Sequence, residues 1–152
     1  MLTTLYCDAS FCPETLAGGW AVWLKSNQGR IVRSGLMPSY VQNSNDAELA
    51  AIFAGVYLAT QKWPSTEAIL VRSDSQTALR WMRSAEGDRR DETQRLAAKI
   101  QELRAKHNFR IIDRWVKGHR RGTQTDVWLN NRVDEMAREV MLKERSKRRR
   151  KK

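Results

Sequence analysis

The chain has 152 residues, enough for one well-buried core and too short for two comfortable ones. Its 41% hydrophobic and 30% charged residues are typical of a globular domain and exclude a disordered or fibrous chain. The formal net charge is +11, and residues 143–152 hold eight bases and one acid, which is +7 of that total. Such a surface predicts a polyanionic partner, most often nucleic acid, with membranes and ribosomes as the alternatives.

The longest apolar run, residues 49–59, is about half of the ~20 residues that a membrane-spanning helix needs, so we expect no membrane span. The amino terminus also lacks the charged start and apolar block of a signal peptide. Cys7 and Cys12 have no second cysteine pair with which to complete a zinc site. We therefore predict two free thiols in a reducing, cytoplasmic compartment.

The first part of the chain is predicted to form three strands. Residues 2–10 are a β-prone run that delivers one carboxylate, Asp8, near its end. Residues 20–26 and 30–37 follow, and the Asn-Gln-Gly turn at 27–29 predicts that they form a hairpin. Three antiparallel strands are the expected result.

The rest of the chain alternates between helix and strand. The polar residues at 43–46 predict the start of a helix, and the apolar positions that follow repeat at i, i+3, i+4 and i+7 until about residue 61. Next come a strand at 68–73, helices at 75–83 and 92–107, a strand at 109–116, a polar loop at 117–126 and a helix at 127–144. This order predicts an α/β fold with a mixed five-stranded sheet, three antiparallel strands plus two parallel ones, and helices on both faces.

Two acidic residues, Asp8 and Asp74, come at the ends of strands that a parallel crossover makes neighbours. Singly, Asp8 is explained as the start of a turn, and Asp74 as a helix cap beside Ser75. Together, two like charges ~4 Å apart repel by roughly 4 kcal/mol at an effective dielectric near 20. A cation relieves that repulsion, and ligation by oxygen alone suits Mg²⁺ or Mn²⁺.

Two further carboxylates, Glu48 and Asp134, lie on helices. Glu48 follows Asn45 at the spacing of a capping box, and Asp134 can pair with Arg138 one turn later. Each therefore has an ordinary structural explanation. A carboxylate cluster that holds two ions about 4 Å apart is, however, the machinery of phosphodiester cleavage.

Five motifs now occur in order: YCDAS, NDAELAAI, SDSQTAL, WVKGH and NNRVDEMA. In sequence and spacing they resemble the type 1 ribonuclease H family, from residue 2 to about residue 140. The resemblance implies the ribonuclease H-like fold and hydrolysis of the RNA strand of RNA/DNA hybrids with two Mg²⁺ ions, which Mn²⁺ can replace. It implies that Asp8, Glu48, Asp74 and Asp134 are the metal-binding carboxylates, and that His119 assists protonation or product departure.

The resemblance also implies that Asn45 and Gln76 contact the hybrid, although a helix cap and a surface side chain explain them equally. Three departures from the family pattern bear on strand discrimination: Ala9 replaces a glycine, the loop at 11–20 lacks Gly-Asn-Pro, and Ser44 stands where asparagine is common. The link at 84–90 is also too short for the basic handle of some members.

The alternatives are a nucleic-acid-binding module of this fold with weak or no turnover, and a related metal nuclease such as a junction resolvase or a proofreading exonuclease. We expect a monomer with a catalytic domain over residues 1–144. Residues 145–152 are expected to form a basic tail, disordered or frayed from the helix end.

Overall fold

The computed structural model describes residues 1–83, 91–118 and 124–151. In chain order its elements are β1 (Leu2–Phe11), β2 (Gly18–Ser26), β3 (Gly29–Leu36), α1 (Ser44–Lys62), β4 (Ala68–Ser73), α2 (Gln76–Met82), α3 (Asp91–His107), β5 (Arg110–Trp115) and α4 (Thr125–Arg150).

The five strands form one mixed sheet in the order β3-β2-β1-β4-β5. The pairs β1/β2 and β2/β3 are antiparallel, whereas β1/β4 and β4/β5 are parallel. Tyr6 lies opposite Arg72 in the β1/β4 register, and continuing that register by two residues sets Asp8 opposite Asp74. The predicted mixed sheet is confirmed, and its two central strands end side by side.

Alternation along β1 divides the core between the two faces of the sheet. Leu5 and Cys7 belong to the larger cluster, which includes buried residues of α1 and α3. Tyr6 faces the other way and packs with Ala21 and the apolar side of α4. Because α4 lies so close to β2, a Cβ at Gly19 would overlap the carbonyl oxygen of Ala137. Helices therefore cover both faces, as predicted.

The last helix differs from the prediction. It continues without a break past residue 144 to Arg150, so the expected disordered or frayed tail is wrong. Lysine, arginine and glutamate are good helix formers, and basic residues are favoured in the last turn of a helix. Arg148 also pairs with Glu144 at 3.0 Å and donates from Nη1 to the carbonyl oxygen of Thr15 at 2.8 Å. The tail is thus held against the loop between β1 and β2.

Two expectations about the whole chain can be compared with the structure. Cys7 and Cys12 are both buried free thiols, as predicted. In the described ranges, no helix combines the length and the apolar character that crossing a membrane requires.

Candidate active site

Three carboxylates converge where β1 and β4 end. Asp8 lies on β1, Asp74 directly follows β4, and Glu48 lies in the second turn of α1. One oxygen from each side chain lies within 4.8 Å of the others, and Asp8 is only 2% exposed. The strand ends that the sequence predicted to be neighbours therefore bring their acids together, with Glu48 added from the helix.

Two buried oxygen atoms of this cluster have no hydrogen-bond donor among the described residues. The backbone N–H of Ala9 donates to Asp8 Oδ1 at 2.9 Å and to Glu48 Oε1 at 3.0 Å. Asp8 Oδ2 and Glu48 Oε2 are buried, and no described residue gives either of them a hydrogen bond. Buried carboxylate oxygens are normally hydrogen-bonded or bound to a cation. These residues fit a divalent cation with oxygen ligands, such as Mg²⁺ or Mn²⁺.

The electrostatics of the site follow from burial and crowding. Burial raises the pKa of Asp8 to about 11, and the nearby charges of Glu48 and Asp74 act in the same direction. Burial likewise raises the pKa of Glu48 to about 8, although the hydrogen bond that it accepts from the backbone N–H of Ala9 opposes the shift. Without a cation, burial and crowding therefore favour the protonated form of these carboxyl groups. A bound cation would favour the ionised carboxylates and so lower their pKa values.

The helix caps near the site are not the ones expected from the sequence. Asn43 caps α1: its Oδ1 accepts from the backbone N–H of Asp46 at 2.8 Å, and its Nδ2 donates to Asp46 Oδ2 at 3.1 Å. The predicted capping box between Asn45 and Glu48 is therefore wrong, and the cap is formed by Asn43 and Asp46. Glu48 is left to point at the cluster.

The cap of α2 is equally local. Ser75 Oγ accepts from the backbone N–H of Ala78 at 3.1 Å, so capping by Asp74 is also wrong. A serine therefore performs the capping, and the Asp74 carboxylate lies in the cluster.

Asp134 reaches the site from the other face of the sheet. It lies half-buried on α4, and its proximity to Asp8 contributes to the raised pKa of Asp8. Its charge also contributes to the raised pKa of Glu48. Asp134 therefore acts electrostatically on two of the three clustered carboxylates, although it is not one of the group within 4.8 Å.

The family model described as RNase H matches residues 2–141. The chain belongs to the RNase H family. Family membership and fold support a ribonuclease H-type nuclease, which is a hydrolase. None of the curated proteins compared with the sequence matches it.

Three solved structures of RNase H proteins share the fold. RNase H1 from the halophilic archaeon Halobacterium salinarum NRC-1 is 19% identical, with 92% of this chain and 97% of that chain covered and a TM-score of 0.72. The N-terminal RNase H domain of rv2228c from Mycobacterium tuberculosis, solved as a fusion with maltose-binding protein, is 18% identical over 92% and 93%, with a TM-score of 0.70. LC11-RNase H1 in complex with an RNA/DNA hybrid is 16% identical over 93% and 97%, with a TM-score of 0.73. At these identities the likeness shows the fold alone.

The end of β5 and the residues that follow it lie beside Asp74. Trp115 Nε1 donates to the main-chain oxygen of Asp74 at 3.0 Å. A Cβ on Gly118 would lie 2.8 Å from Asp74 Oδ2, so only glycine permits this approach without a shift. Neither interaction was predicted from the sequence, and the only signal for them was that both residues belong to the WVKGH motif. His119 itself lies outside the described residues.

The two residues assigned to substrate contact lie near the cluster in the chain. Asn45 is in the first turn of α1, three residues before Glu48, and its side chain is exposed. Gln76 begins α2, two residues after Asp74, and is also exposed. Both are therefore open to a ligand from solvent. The link at 84–90 lies outside the described residues, so the expectation of a missing handle stays a prediction.

Proposed function

We propose that this chain is a divalent-metal-dependent endonuclease that hydrolyses the RNA strand of RNA/DNA hybrids. The observation that carries the proposal is the group of three carboxylates within 4.8 Å, two of which keep a buried oxygen with no donor among the described residues. Membership of the RNase H family supports it, as does the solved complex of LC11-RNase H1 with an RNA/DNA hybrid.

Asp8, Glu48, Asp74 and Asp134 would hold two Mg²⁺ ions, which Mn²⁺ can replace. When bound, the ions would activate water for attack on the phosphate and stabilise the departing 3′ oxygen. The backbone N–H of Ala9 holds one oxygen of Asp8 and one of Glu48, which fixes how both carboxylates face the site. His119 would help to protonate the leaving group or assist product departure.

Selection of a hybrid requires contact with the RNA 2′-hydroxyl, since that group separates RNA from DNA at a given site. Asn45 and Gln76 suit this task because an amide side chain can both donate to and accept from a hydroxyl. Both are exposed at helix starts beside the cluster. We propose that they contact the substrate across the minor groove, and that the chain acts as a cytoplasmic monomer.

The test is a cleavage assay with labelled RNA/DNA hybrid, double-stranded RNA and double-stranded DNA, each with Mg²⁺, Mn²⁺ or a chelator. We expect cleavage of the RNA strand of the hybrid with either metal and none with the chelator. Asp8→Asn should abolish cleavage while it leaves the fold intact. Asp113→Asn is the matched control, because Asp113 pairs with Arg83 away from the cluster and should stay active.

Other outcomes would refute the proposal in different ways. Tight hybrid binding without cleavage under any metal would favour the nucleic-acid-binding module. Equal cleavage of all three duplexes would favour a related metal nuclease. Unchanged cleavage by Asp8→Asn would mean that the carboxylate cluster is not the active site.

A further inference from the structure

Asn130 of α4 has an unusual environment for an amide side chain. It is 2% exposed, and its Oδ1 accepts no hydrogen bond from any described residue. Burial of an acceptor without a donor costs free energy, so such groups call for an explanation. Among the described residues, the other buried side-chain oxygens in this condition are Asp8 Oδ2 and Glu48 Oε2, both in the carboxylate cluster.

The helix places Asn130 beside that cluster. Asp134 is one helical turn later on the same side of α4, and it lies close enough to Asp8 to contribute to the raised pKa of Asp8. Asp126 is one turn earlier, and its charge acts on Tyr6. Tyr6 and Asp8 alternate onto the same face of β1, which α4 covers, so the buried side of α4 that carries Asn130 faces this part of the sheet.

The packing around Asn130 fixes this position. Leu129 and Val133, on the same side of the helix, are buried against Tyr6 and Ala21. Asn130 is consequently directed at the sheet, where an apolar side chain would be expected. Since no described residue donates to its Oδ1, a bound water is the donor that the site calls for.

We propose that Asn130 is a positioning residue of the active site, whose Oδ1 accepts a hydrogen bond from a water in the hydration shell of a divalent cation held by Asp8 and Asp134. The inference rests on the proposed function. Mg²⁺ dehydrates reluctantly and keeps several waters, which need acceptors in the protein. An amide oxygen provides one without adding another negative charge to the crowded cluster.

A competing explanation involves Arg72. Its Nε is also buried with no acceptor among the described residues, and its guanidinium lies 5.5 Å from the centre of the Tyr6 ring. A water bridging Arg72 Nε and Asn130 Oδ1 would satisfy both groups without a cation. The two explanations differ in whether the role of Asn130 depends on the metal.

The test uses Asn130→Leu, which keeps the approximate volume and removes the acceptor. Mn²⁺ affinity is measured by titration calorimetry, and urea unfolding is followed with and without Mn²⁺. We expect Mn²⁺ to bind roughly 10-fold more weakly or worse, as when other hydrogen-bond partners of a metal site are removed. Without metal, the variant should be no less stable than the unaltered protein, because it loses a buried acceptor that had no donor.

Two other variants complete the test. Asn130→Asp keeps acceptor oxygens at this position and should retain Mn²⁺ binding. Asn131→Leu changes the same residue type one position along, about 100° around the helix, and should bind Mn²⁺ normally. If the leucine variant does not fold, Asn130→Ala is titrated in its place.

Each result decides the matter. Normal Mn²⁺ affinity in Asn130→Leu, or a large loss of stability without metal, would overturn the inference and favour the bridge to Arg72. If the unaltered protein binds no Mn²⁺, the proposed metal site fails and the inference fails with it. Normal binding in the unaltered protein and in Asn130→Leu would sink the inference alone.

Discussion

Replacement of Asp8 by asparagine should make the metal-free protein more stable while it destroys the site. Asparagine matches aspartate in size and keeps an oxygen for the backbone N–H of Ala9, which donates to Asp8 Oδ1 at 2.9 Å. What it removes is one ionisable carboxyl from a group of three within 4.8 Å of one another. The change in unfolding free energy of this variant therefore measures how much the crowded carboxylates destabilise the fold.

The size of the effect follows from the geometry. Two unit charges 4.8 Å apart repel by about 3.5 kcal/mol at an effective dielectric near 20. Retained protons relieve part of that repulsion, so we expect the free energy of unfolding to rise by about 1–3 kcal/mol at pH 8.

The stability gained by Asp8→Asn should depend on pH. An acid with a raised folded-state pKa stabilises the fold most below its unfolded pKa, near 3.8 for aspartate and 4.5 for glutamate. That stability is lost progressively as pH rises from the unfolded pKa to the folded pKa, which is about 8 for Glu48 and about 11 for Asp8. The advantage of Asp8→Asn should therefore be smaller at pH 5 than at pH 8.

The assay is urea unfolding in a chelator at pH 5 and pH 8, repeated with Mg²⁺. Added Mg²⁺ should stabilise the unaltered protein and have less effect on Asp8→Asn. Asp113→Asn serves as the control, since it loses an ion pair with Arg83 and should not gain stability at either pH. A variant less stable than the unaltered protein in chelator at pH 8, or an advantage that does not grow with pH, would refute the idea of a crowded acidic site.

Three further predictions concern the surroundings of the site. Gly118→Ala should lower the Mg²⁺-dependent cleavage rate by displacing the Asp74 carboxylate, and an unchanged rate would show that the approach is not needed. His119→Ala should slow turnover but leave it measurable, and complete inactivity in a folded variant would contradict its assisting role. Deletion of residues 146–152 should flatten the salt dependence of hybrid binding, by ~0.9 in log-log slope for each phosphate that the tail no longer neutralises, with little change in turnover at saturating substrate. The deletion should also lower the urea midpoint of unfolding, because it removes the hydrogen bond from Arg148 to Thr15. An unchanged salt slope would mean that the tail stabilises the fold and does not bind the hybrid.

The sheet and the position of its acids could be predicted from the sequence because strong local signals specify both. The run at 68–73 is apolar and bounded by a breaker and a polar residue, and β4 (Ala68–Ser73) has the predicted bounds. The parallel crossover then makes β1 and β4 neighbours, which brings Asp8 to Asp74. The meeting of these acids thus follows from topology.

Some features could not be predicted from the sequence. They depend either on which of two similar neighbouring residues caps a helix or on contacts between residues that are distant in the chain. Asn43 and Asn45 are both good caps, and Asn43 is the one that Asp46 supports with two hydrogen bonds. Asp46 also accepts a hydrogen bond from Thr93 of α3 at 2.6 Å, a partner 47 residues away. The helical tail likewise depends on Arg148 meeting the distant loop, and the orphaned oxygen of Asn130 has no local sequence signature.

The measurement that tests the central claim most directly is the chemical identity of the ends produced when RNA/DNA hybrid is incubated with the protein and Mg²⁺. Mass spectrometry of the fragments reports it. Attack by water with departure of the 3′ oxygen predicts RNA fragments with 5′-phosphate and 3′-hydroxyl ends, an intact DNA strand, and no products from Asp8→Asn. Fragments that end in 2′,3′-cyclic phosphate, or products that form equally in chelator, would contradict metal-dependent hydrolysis at the carboxylate cluster.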